Sequence, residues 1–302
     1  MIKTLPKIYL CLLAVIMSLF VSAGCSRSAS PAVSAETNEP KRIISTAPSN
    51  TEIIIGLGMG DRLIAVDPYS RDIAGVPLDI PFIDFFYPDT EAVISLEPDL
   101  ILANEINSFG VADNPFKLLG DLGIRVVEVP TSVSIEGILG DIIFIAETLG
   151  VRERGVELAG AMMEDIANIA ALAENLPERK KVYFEISSVP YAVSFGNGAY
   201  LNEMIEIAGG INIFGDQTGW FSPSAEEIIS RNPDIIFTLI YPGEDPINEI
   251  KNRSFFESIT AIRQNQVYAI DTDSASRPSQ NIIKALGEMA GAVNPAYHET
   301  AR

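Results

Sequence analysis

The chain reads Thr90-Glu-Ala-Val-Ile-Ser-Leu-Glu-Pro-Asp-Leu-Ile-Leu-Ala103 and, 135 positions later, reads Ala225-Glu-Glu-Ile-Ile-Ser-Arg-Asn-Pro-Asp-Ile-Ile-Phe-Thr238. Six of the fourteen aligned positions are identical, including three pairs: Glu91 with Glu226, Pro98 with Pro233, and Asp99 with Asp234. Each copy predicts a helix that stops at the proline and an apolar strand that follows at once. Because short repeats usually recur at much closer spacing, the wide spacing predicts two related globular lobes with a cleft between them.

Around the repeat, short apolar runs alternate with segments of helical period, which is typical of α/β folds with mainly parallel strands. Strands are predicted at 42–45, 63–66, 99–104 and 125–129, and then at 181–186, 234–240 and 267–271. Helices are predicted at 50–57, 89–96, 114–122 and 135–149, and then at 199–207, 225–231, 254–262 and 281–293. We therefore predict two similar Rossmann-like α/β lobes, in residues 42–150 and 177–302.

The segment between the lobes predicts one long helix. Residues 151–175 contain no proline and carry apolar residues at helical spacing, among them Leu158, Met162, Ile166 and Ile169. We assign 151–176 to a connecting helix that runs along both lobes. A single long helix between the lobes would be a stiff hinge.

The amino terminus is typical of a secretory signal. Two lysines precede an apolar run from Ile8 to Val21, and small residues then lead to Cys25. This junction resembles the lipobox of bacterial lipoproteins, which implies a signal peptide over residues 1–24, a lipidated Cys25 and a flexible tether over 25–41. An uncleaved membrane anchor is the alternative. Both interpretations place the body outside the cytoplasm.

Composition excludes several classes of function. A net charge of −19 argues against nucleic acid as a partner. The single histidine, His298, lies close to the carboxyl terminus, and both cysteines, Cys11 and Cys25, lie in or at the end of the signal. These residues argue against a bare-metal site and against Ser-His-Asp or Cys-His catalysis. No metal ligands are therefore assigned.

The body from about 41 to 297 resembles the substrate-binding proteins of ABC importers for vitamin B12 and iron chelates. The motifs that carry the resemblance are Arg42-Ile-Ile-Ser-Thr-Ala-Pro-Ser-Asn-Thr-Glu-Ile-Ile-Ile-Gly-Leu-Gly58, the two repeats, Gly196-Asn-Gly-Ala-Tyr-Leu-Asn-Glu-Met-Ile-Glu-Ile-Ala-Gly-Gly-Ile-Asn212, and Arg277-Pro278. The resemblance implies two lobes joined by one rigid helix and a lipid-anchored monomer. It also implies a permease dimer with its ATPase as partners, no cofactor, and a chelated metal compound as ligand.

The same resemblance implies that Glu91 and Glu226 dock the protein on the permease. A two-fold symmetric permease offers two like sites, and two similar lobes can supply two like carboxylates. The alternative is local, because a glutamate in the first turn of a helix is stabilised by the helix dipole alone. Glu227 is predicted to complete a capping box with Ser224, and Glu52 is expected to be a surface residue.

Ligands of α/β folds bind beyond the carboxyl ends of the strands, and the loops there are rich in aromatic residues. The predicted ligand-binding residues are Tyr69, Arg71, Phe85, Tyr87, Tyr191, Trp220, Tyr241 and Arg277. Such a set suits a large, partly flat ligand with amide or carboxylate edges, such as a corrinoid or an iron chelate. Each aromatic could instead complete a core.

Two other functions remain open from the sequence. A pair of carboxylates could hydrolyse glycosides, but the equivalent positions of Glu91 and Glu226 argue against unlike acid and base roles. A surface sensor or adhesin on the same fold is the second alternative.

Overall fold

The computed structural model describes residues 39–105, 116–188, 191–240, 245–294 and 297. The signal peptide, Cys25 and most of the tether, as well as Tyr241 and His298, lie outside the described residues. The first lobe contains, in chain order, β1 (Ile43–Ser45), α1 (Pro48–Gly56), β2 (Leu63–Val66), α2 (Thr90–Ser95), β3 (Leu100–Asn104), α3 (Lys117–Asp121), β4 (Val126–Val129) and α4 (Ile135–Thr148). Its four strands are parallel, in the order β2-β1-β3-β4.

The chain then passes through the connecting helix α5 (Arg152–Ala173) into the second lobe. That lobe contains β5 (Lys180–Glu185), β6 (Ser194–Phe195), α6 (Tyr200–Ile207), β7 (Gly210–Asn212), β8 (Trp220–Phe221), α7 (Ala225–Arg231), β9 (Ile235–Ile240), α8 (Pro246–Lys251), α9 (Thr260–Arg263), β10 (Val267–Asp271), α10 (Thr272–Ser276) and α11 (Ile282–Val293). Its parallel sheet has the order β7-β5-β9-β10, and β6 pairs with β8 in a separate antiparallel ladder.

The two parallel sheets have the same topology. In each, the first strand is flanked by the second and third, and the fourth lies beside the third. The repeated sequence forms the same unit in both lobes, because α2 leads into β3 and α7 leads into β9. The predicted fold class, two similar α/β lobes joined by one long helix, is therefore confirmed.

The Pro-Asp pair of each repeat fixes the corner between helix and strand. The Asp99 carboxylate accepts hydrogen bonds from the backbone N–H groups of Lys41 (2.8 Å) and Arg42 (3.0 Å), just before β1. Asp234 accepts the equivalent bond from Lys181 N at 2.9 Å, at the start of β5. The aspartates thus tie the third strand of each sheet to the amino end of the first.

Three hydrophobic clusters form the core. A central cluster packs the inner faces of both sheets against α5, and it contains Leu100 from the first lobe, Phe184 from the second and Ile166 from α5 itself. An outer cluster lies on the far face of each sheet, under α2 and α3 in the first lobe and under α7 and α8 in the second. The two lobes therefore share the central cluster of the core.

The connecting helix packs closely on α4 at one point. A Cβ atom added at Gly155 would lie 2.4 Å from the Cβ of Ala146, so only glycine fits where the two helices cross. With 22 residues the helix is roughly 33 Å long.

The predicted helix at 254–262 is wrong. This segment forms a 3₁₀ turn at Ser254–Phe256 and then the short helix α9. Asn232 separates the two, because its Oδ1 accepts the Thr260 N–H at 2.9 Å and its Nδ2 donates to Thr260 Oγ1 at 3.0 Å. Each predicted strand lies within one residue of an observed one, but α8, α10, β6, β7 and β8 were not predicted.

Candidate functional site

The carboxyl ends of both sheets meet at the interface between the lobes. Arg277 follows α10, beyond the end of β10, and its Nη2 donates to the backbone oxygen of Tyr69, in the loop after β2, at 3.2 Å. At another point Glu203 on α6 accepts the N–H of Ile135 at the start of α4, at 2.9 Å. The loops that follow the strands of the two lobes therefore face one another.

On the first lobe these loops carry exposed aromatic side chains. Tyr69 is 67% exposed and Tyr87 is 82% exposed. The Tyr69 ring lies 6.0 Å from that of Phe85, which in turn lies 4.4 Å from Phe86. The Arg71 guanidinium lies 4.4 Å from the centre of the Phe82 ring. Four of the predicted ligand residues thus stand on the single connection between β2 and α2 of the first lobe.

Buried polar groups hold the Tyr69 turn from below. The Asp67 carboxylate is fully buried and accepts hydrogen bonds from Tyr69 N at 2.8 Å and from the Ser70 hydroxyl. Burial raises the pKa of Asp67, and the bonds from Ser70 and Tyr69 partly oppose that rise. Ser70 Oγ also lies at hydrogen-bond distance, 3.1 Å, from Thr51 Oγ1 on α1. The turn is therefore fixed to the body of its lobe.

On the second lobe two of the predicted ligand-binding aromatic residues are also exposed. Tyr191 is 81% exposed, and Trp220 on β8 is 53% exposed. The Trp220 ring lies 5.6 Å from Phe195, in an edge-to-face contact, while Phe195 is itself buried on β6. The β6–β8 ladder thus supports the tryptophan from beneath, and Phe195 completes the core.

A groove of about 600 Å³ lies between the lobes, beside α1 and the start of α11. Its walls include Glu52, Asp72, Asp273, Arg277 and Lys284. The basic groups of this wall are already paired, because Lys284 Nζ lies 2.6 Å from Asp271 and Arg277 Nη2 lies 2.8 Å from Asp273. Of the predicted ligand residues in the described part of the chain, Arg277 alone lines this groove.

Glu52 is a buried residue of the interface, so the expectation that it lies on the surface is wrong. It is only 4% exposed, and its carboxylate accepts hydrogen bonds from Arg277 Nη1 at 3.2 Å and from the Ser279 hydroxyl. Burial raises the pKa of Glu52, against the opposing effect of these two partners. A lone carboxylate directly before the apolar run Ile53-Ile54-Ile55 was the signal that could have indicated this role.

The two predicted docking residues occupy equivalent places. Glu91 and Glu226 are both the second residue of their helix, and both are exposed. In the described residues neither carboxylate has a hydrogen-bond or ion-pair partner. Other side chains cap the amino ends of the two helices. The Asp89 carboxylate accepts a hydrogen bond from Ala92 N on α2, and Ser224 and Glu227 form the predicted capping box on α7. Since each helix runs opposite to the strand after it, both glutamates stand at the carboxyl edge of their sheets.

Comparison with known proteins decides the family. The family model described as periplasmic binding protein matches residues 43–274. The chain belongs to the periplasmic binding protein family. In the solved structures, it is similar to a possible iron-binding (periplasmic solute-binding) protein from Staphylococcus epidermidis, at 30% identity and a TM-score of 0.76, over 85% of this chain and 99% of that one.

Two relatives of this periplasmic binding protein carry functional names. An ABC transporter substrate-binding lipoprotein of Bacillus subtilis, YvrC, itself uncharacterized, is 32% identical over 85% of this chain and 81% of its own length. A vitamin B12-binding protein of Vibrio parahaemolyticus is 28% identical, over 83% and 89% respectively. The resemblance stated from the sequence is confirmed, as is the general function that it implied, substrate binding for an ABC importer. The roles of individual site residues stay predictions.

Proposed function

We propose that this protein binds a corrinoid, or a neutral iron chelate of similar size, between its lobes and delivers it to an ABC permease with its ATPase. The observation that carries the proposal is the pair of exposed aromatic surfaces, Tyr69 with Tyr87 on one lobe and Tyr191 with Trp220 on the other. Large apolar surfaces left in water at facing loops favour a broad, partly apolar ligand.

The charges of the site favour a ligand that is not strongly anionic. Arg277 is bonded to Glu52 and Asp273, and Arg71 is stacked on Phe82. With a chain charge of −19 around them, these arginines leave little attraction for a multiply charged ferric catecholate. Amide edges such as those of a corrin ring suit the exposed tyrosine hydroxyls better. The vitamin B12-binding relative supports the same choice.

Fluorescence tests the ligand, because Trp220 is the only tryptophan of the chain. Purified full-length protein is titrated with cobalamin, cobinamide, heme, a ferric hydroxamate and a ferric catecholate. We expect the corrinoids to quench Trp220 and to raise the melting temperature, and we expect the catecholate to do neither. If none of the corrinoids or iron chelates produced a response, the proposed ligand class would be wrong.

A matched pair of variants locates the site. Tyr69→Ala removes an exposed ring from the proposed cleft and should weaken cobalamin binding about five- to thirtyfold, since one desolvated aromatic contact can contribute about 1–2 kcal/mol. Phe255→Ala removes an exposed ring that lies just before α9, on the outer side of the second lobe. The second variant should bind as the unmodified protein does. Equal effects would argue against the aromatic cleft.

We propose that Glu91 and Glu226 orient the protein on the permease. Their exposure, their lack of partners in the described residues and their equivalent placement support this role. The double variant Glu91→Ala, Glu226→Ala should reduce uptake of labelled ligand strongly while its affinity in solution stays unchanged. The control Glu157→Ala, Glu164→Ala removes the same charge from exposed positions of α5. Normal uptake by the first double variant would remove the docking assignment.

The proposed location is outside the cytoplasm, with a monomer anchored by lipid on Cys25. The lipoprotein name of the Bacillus subtilis relative supports it. No helix in the described part of the chain has the length and apolar character to cross a bilayer. We expect Cys25→Ser to abolish incorporation of labelled fatty acid and to release the protein from the membrane fraction. Retention of the variant on the membrane would favour an uncleaved anchor.

We assign no catalytic role to the protein, because its family consists of binding proteins. Glycoside hydrolysis gains no support from the site. Glu91 and Glu226 lie on the outer helices of different lobes, α2 and α7. The relative named as an ABC transporter substrate-binding lipoprotein favours an importer over a sensor or adhesin.

A further inference from the structure

A polar cluster joins the two lobes directly where their loops meet. It consists of Glu52, the backbone oxygen of Tyr69, Arg277 and Ser279, and we call it the cross-lobe cluster. Arg277 Nη1 donates to Glu52 Oε1 at 3.2 Å while its Nη2 donates to the Tyr69 oxygen at 3.2 Å, and the Ser279 hydroxyl donates to Glu52 Oε2. One guanidinium of the second lobe thus holds both a helix and an aromatic loop of the first.

The cluster fixes geometry more than it adds stability. The Glu52 side chain is 5% exposed and that of Arg277 is 15% exposed, and a buried ion pair often gains little net free energy over apolar residues of the same size. The planar guanidinium of Arg277, however, can reach the Glu52 carboxylate and the Tyr69 backbone oxygen together only at one separation of the lobes. Gln280 adds a further constraint, because its Nε2 donates to the Glu52 backbone oxygen at 2.9 Å.

We propose that Glu52 and Arg277 are positioning residues of the cleft, which set the distance between the lobes and hold the Tyr69 loop at the height that the ligand requires. This role goes beyond docking and beyond direct contact with the ligand. Its expected effect on affinity rests on the proposed function. Its expected effect on the separation of the lobes does not depend on any ligand. A shared core holds the lobes together, and the cluster selects one arrangement of them.

The chain supplies a matched control for this pair. Arg253 and Glu185 form a second buried pair, in which Nη1 and Nη2 lie 2.7 and 2.8 Å from the carboxylate oxygens. Each arginine also pairs with an acid four residues earlier, Glu249 for Arg253 and Asp273 for Arg277. The control pair, however, lies within the second lobe. Glu185→Gln therefore removes the same kind of interaction without touching the interface.

The test measures the distance between the lobes. Spin labels are placed at Ser95→Cys and Ser230→Cys, exposed and equivalent positions of α2 and α7, in the full chain with Cys11 and Cys25 replaced by serine. Double electron–electron resonance then gives the distance distribution without ligand. We expect Glu52→Gln to broaden it, Arg277→Lys to broaden it less because one donor group remains, and Glu185→Gln to leave it unchanged even where the melting temperature falls equally.

Affinity gives the second measurement. If the native lobe separation falls to a tenth of the population, the apparent Kd for cobinamide rises about tenfold, and Glu52→Gln should show a rise of that order. Distributions of Glu52→Gln and Arg277→Lys as narrow as that of the unmodified protein would overturn the inference. Equal broadening by Glu185→Gln would also overturn it, because the effect would then be general softening. If the unmodified protein bound none of the corrinoids or iron chelates, the proposed ligand class would be refuted and the distance measurement would remain decisive.

Discussion

At the scale of single residues, Asp141 on α4 is the buried carboxylate with the clearest consequence for pH. Its side chain is buried, and Ser132 Oγ donates to Oδ2 at 2.5 Å. Burial raises the pKa of Asp141 from 3.8 to about 6, and the bond from Ser132 only partly opposes the rise. Because the folded protein binds this proton more tightly than the unfolded chain, this group favours folding at low pH. That contribution is lost as pH rises through about 6.

The variant Asp141→Asn removes the titration and keeps an acceptor for Ser132. We expect it to be more stable than the unmodified protein at pH 8, by about 1–3 kcal/mol. The difference should shrink toward pH 4, where Asp141 in the folded protein is already neutral. Urea unfolding at a series of pH values measures the free energy of unfolding of the variant and of the unmodified protein. A constant difference across this range would show that Asp141 does not titrate there.

The residues of the interface show where a single sequence stops being informative. Asp89, Ser224 and Glu227 act on neighbours within three positions, so their capping roles could be predicted. Glu52 meets Arg277 across 225 positions, and no local pattern encodes that contact. The ligand-binding roles of Tyr69 and Trp220 stay predictions. The exposure of both side chains agrees with these roles, but no contact tests them.

At the scale of elements, α5 supplies a matched pair of glycines, one packed on α4 and one open to solvent. A Cβ at Gly155 would meet Ala146 at 2.4 Å, whereas nothing lies within 4 Å of one at Gly160. Gly155→Ala should therefore destabilise the protein by about 1–3 kcal/mol through overpacking. Gly160→Ala should stabilise it by up to about 1 kcal/mol, because alanine is the better helix former. Thermal and urea denaturation of the two variants and of the unmodified chain shows whether each substitution lowers or raises stability.

The same contrast explains which elements could be predicted. The repeated corner from helix to strand is encoded locally by a cap, a proline and an apolar run. It even places Glu97 and Asn232 at equivalent positive φ values of 45° and 48°. The segment after Arg253 has the apolar spacing of one helix. The Asn232 side chain, however, accepts a hydrogen bond from the Thr260 N–H, and a new helix begins there. The strands β6 and β8 have two residues each and exist through their pairing alone, which no periodicity can show.

At the scale of the whole molecule, the central core makes the two lobes one thermodynamic unit. Leu100 of the first lobe, Phe184 of the second and Ile166 of α5 are buried in the same cluster. We therefore expect one cooperative transition in calorimetry, with equal calorimetric and van't Hoff enthalpies, even though the chain contains two sheets. Hydrogen exchange should likewise show β3 and β9 opening together.

Two core variants test this coupling. Ile166→Ala, in the shared core, and Ile236→Ala, in the outer core of the second lobe, each remove a buried side chain and should lower the melting temperature on the order of 10 °C. If the lobes are one unit, Ile236→Ala should also speed the global exchange of β3, which its side chain does not touch. Two resolved transitions, or faster exchange confined to the second lobe, would mean that the lobes unfold separately. The cross-lobe cluster would then have to hold two independent bodies together rather than select one arrangement of a single body.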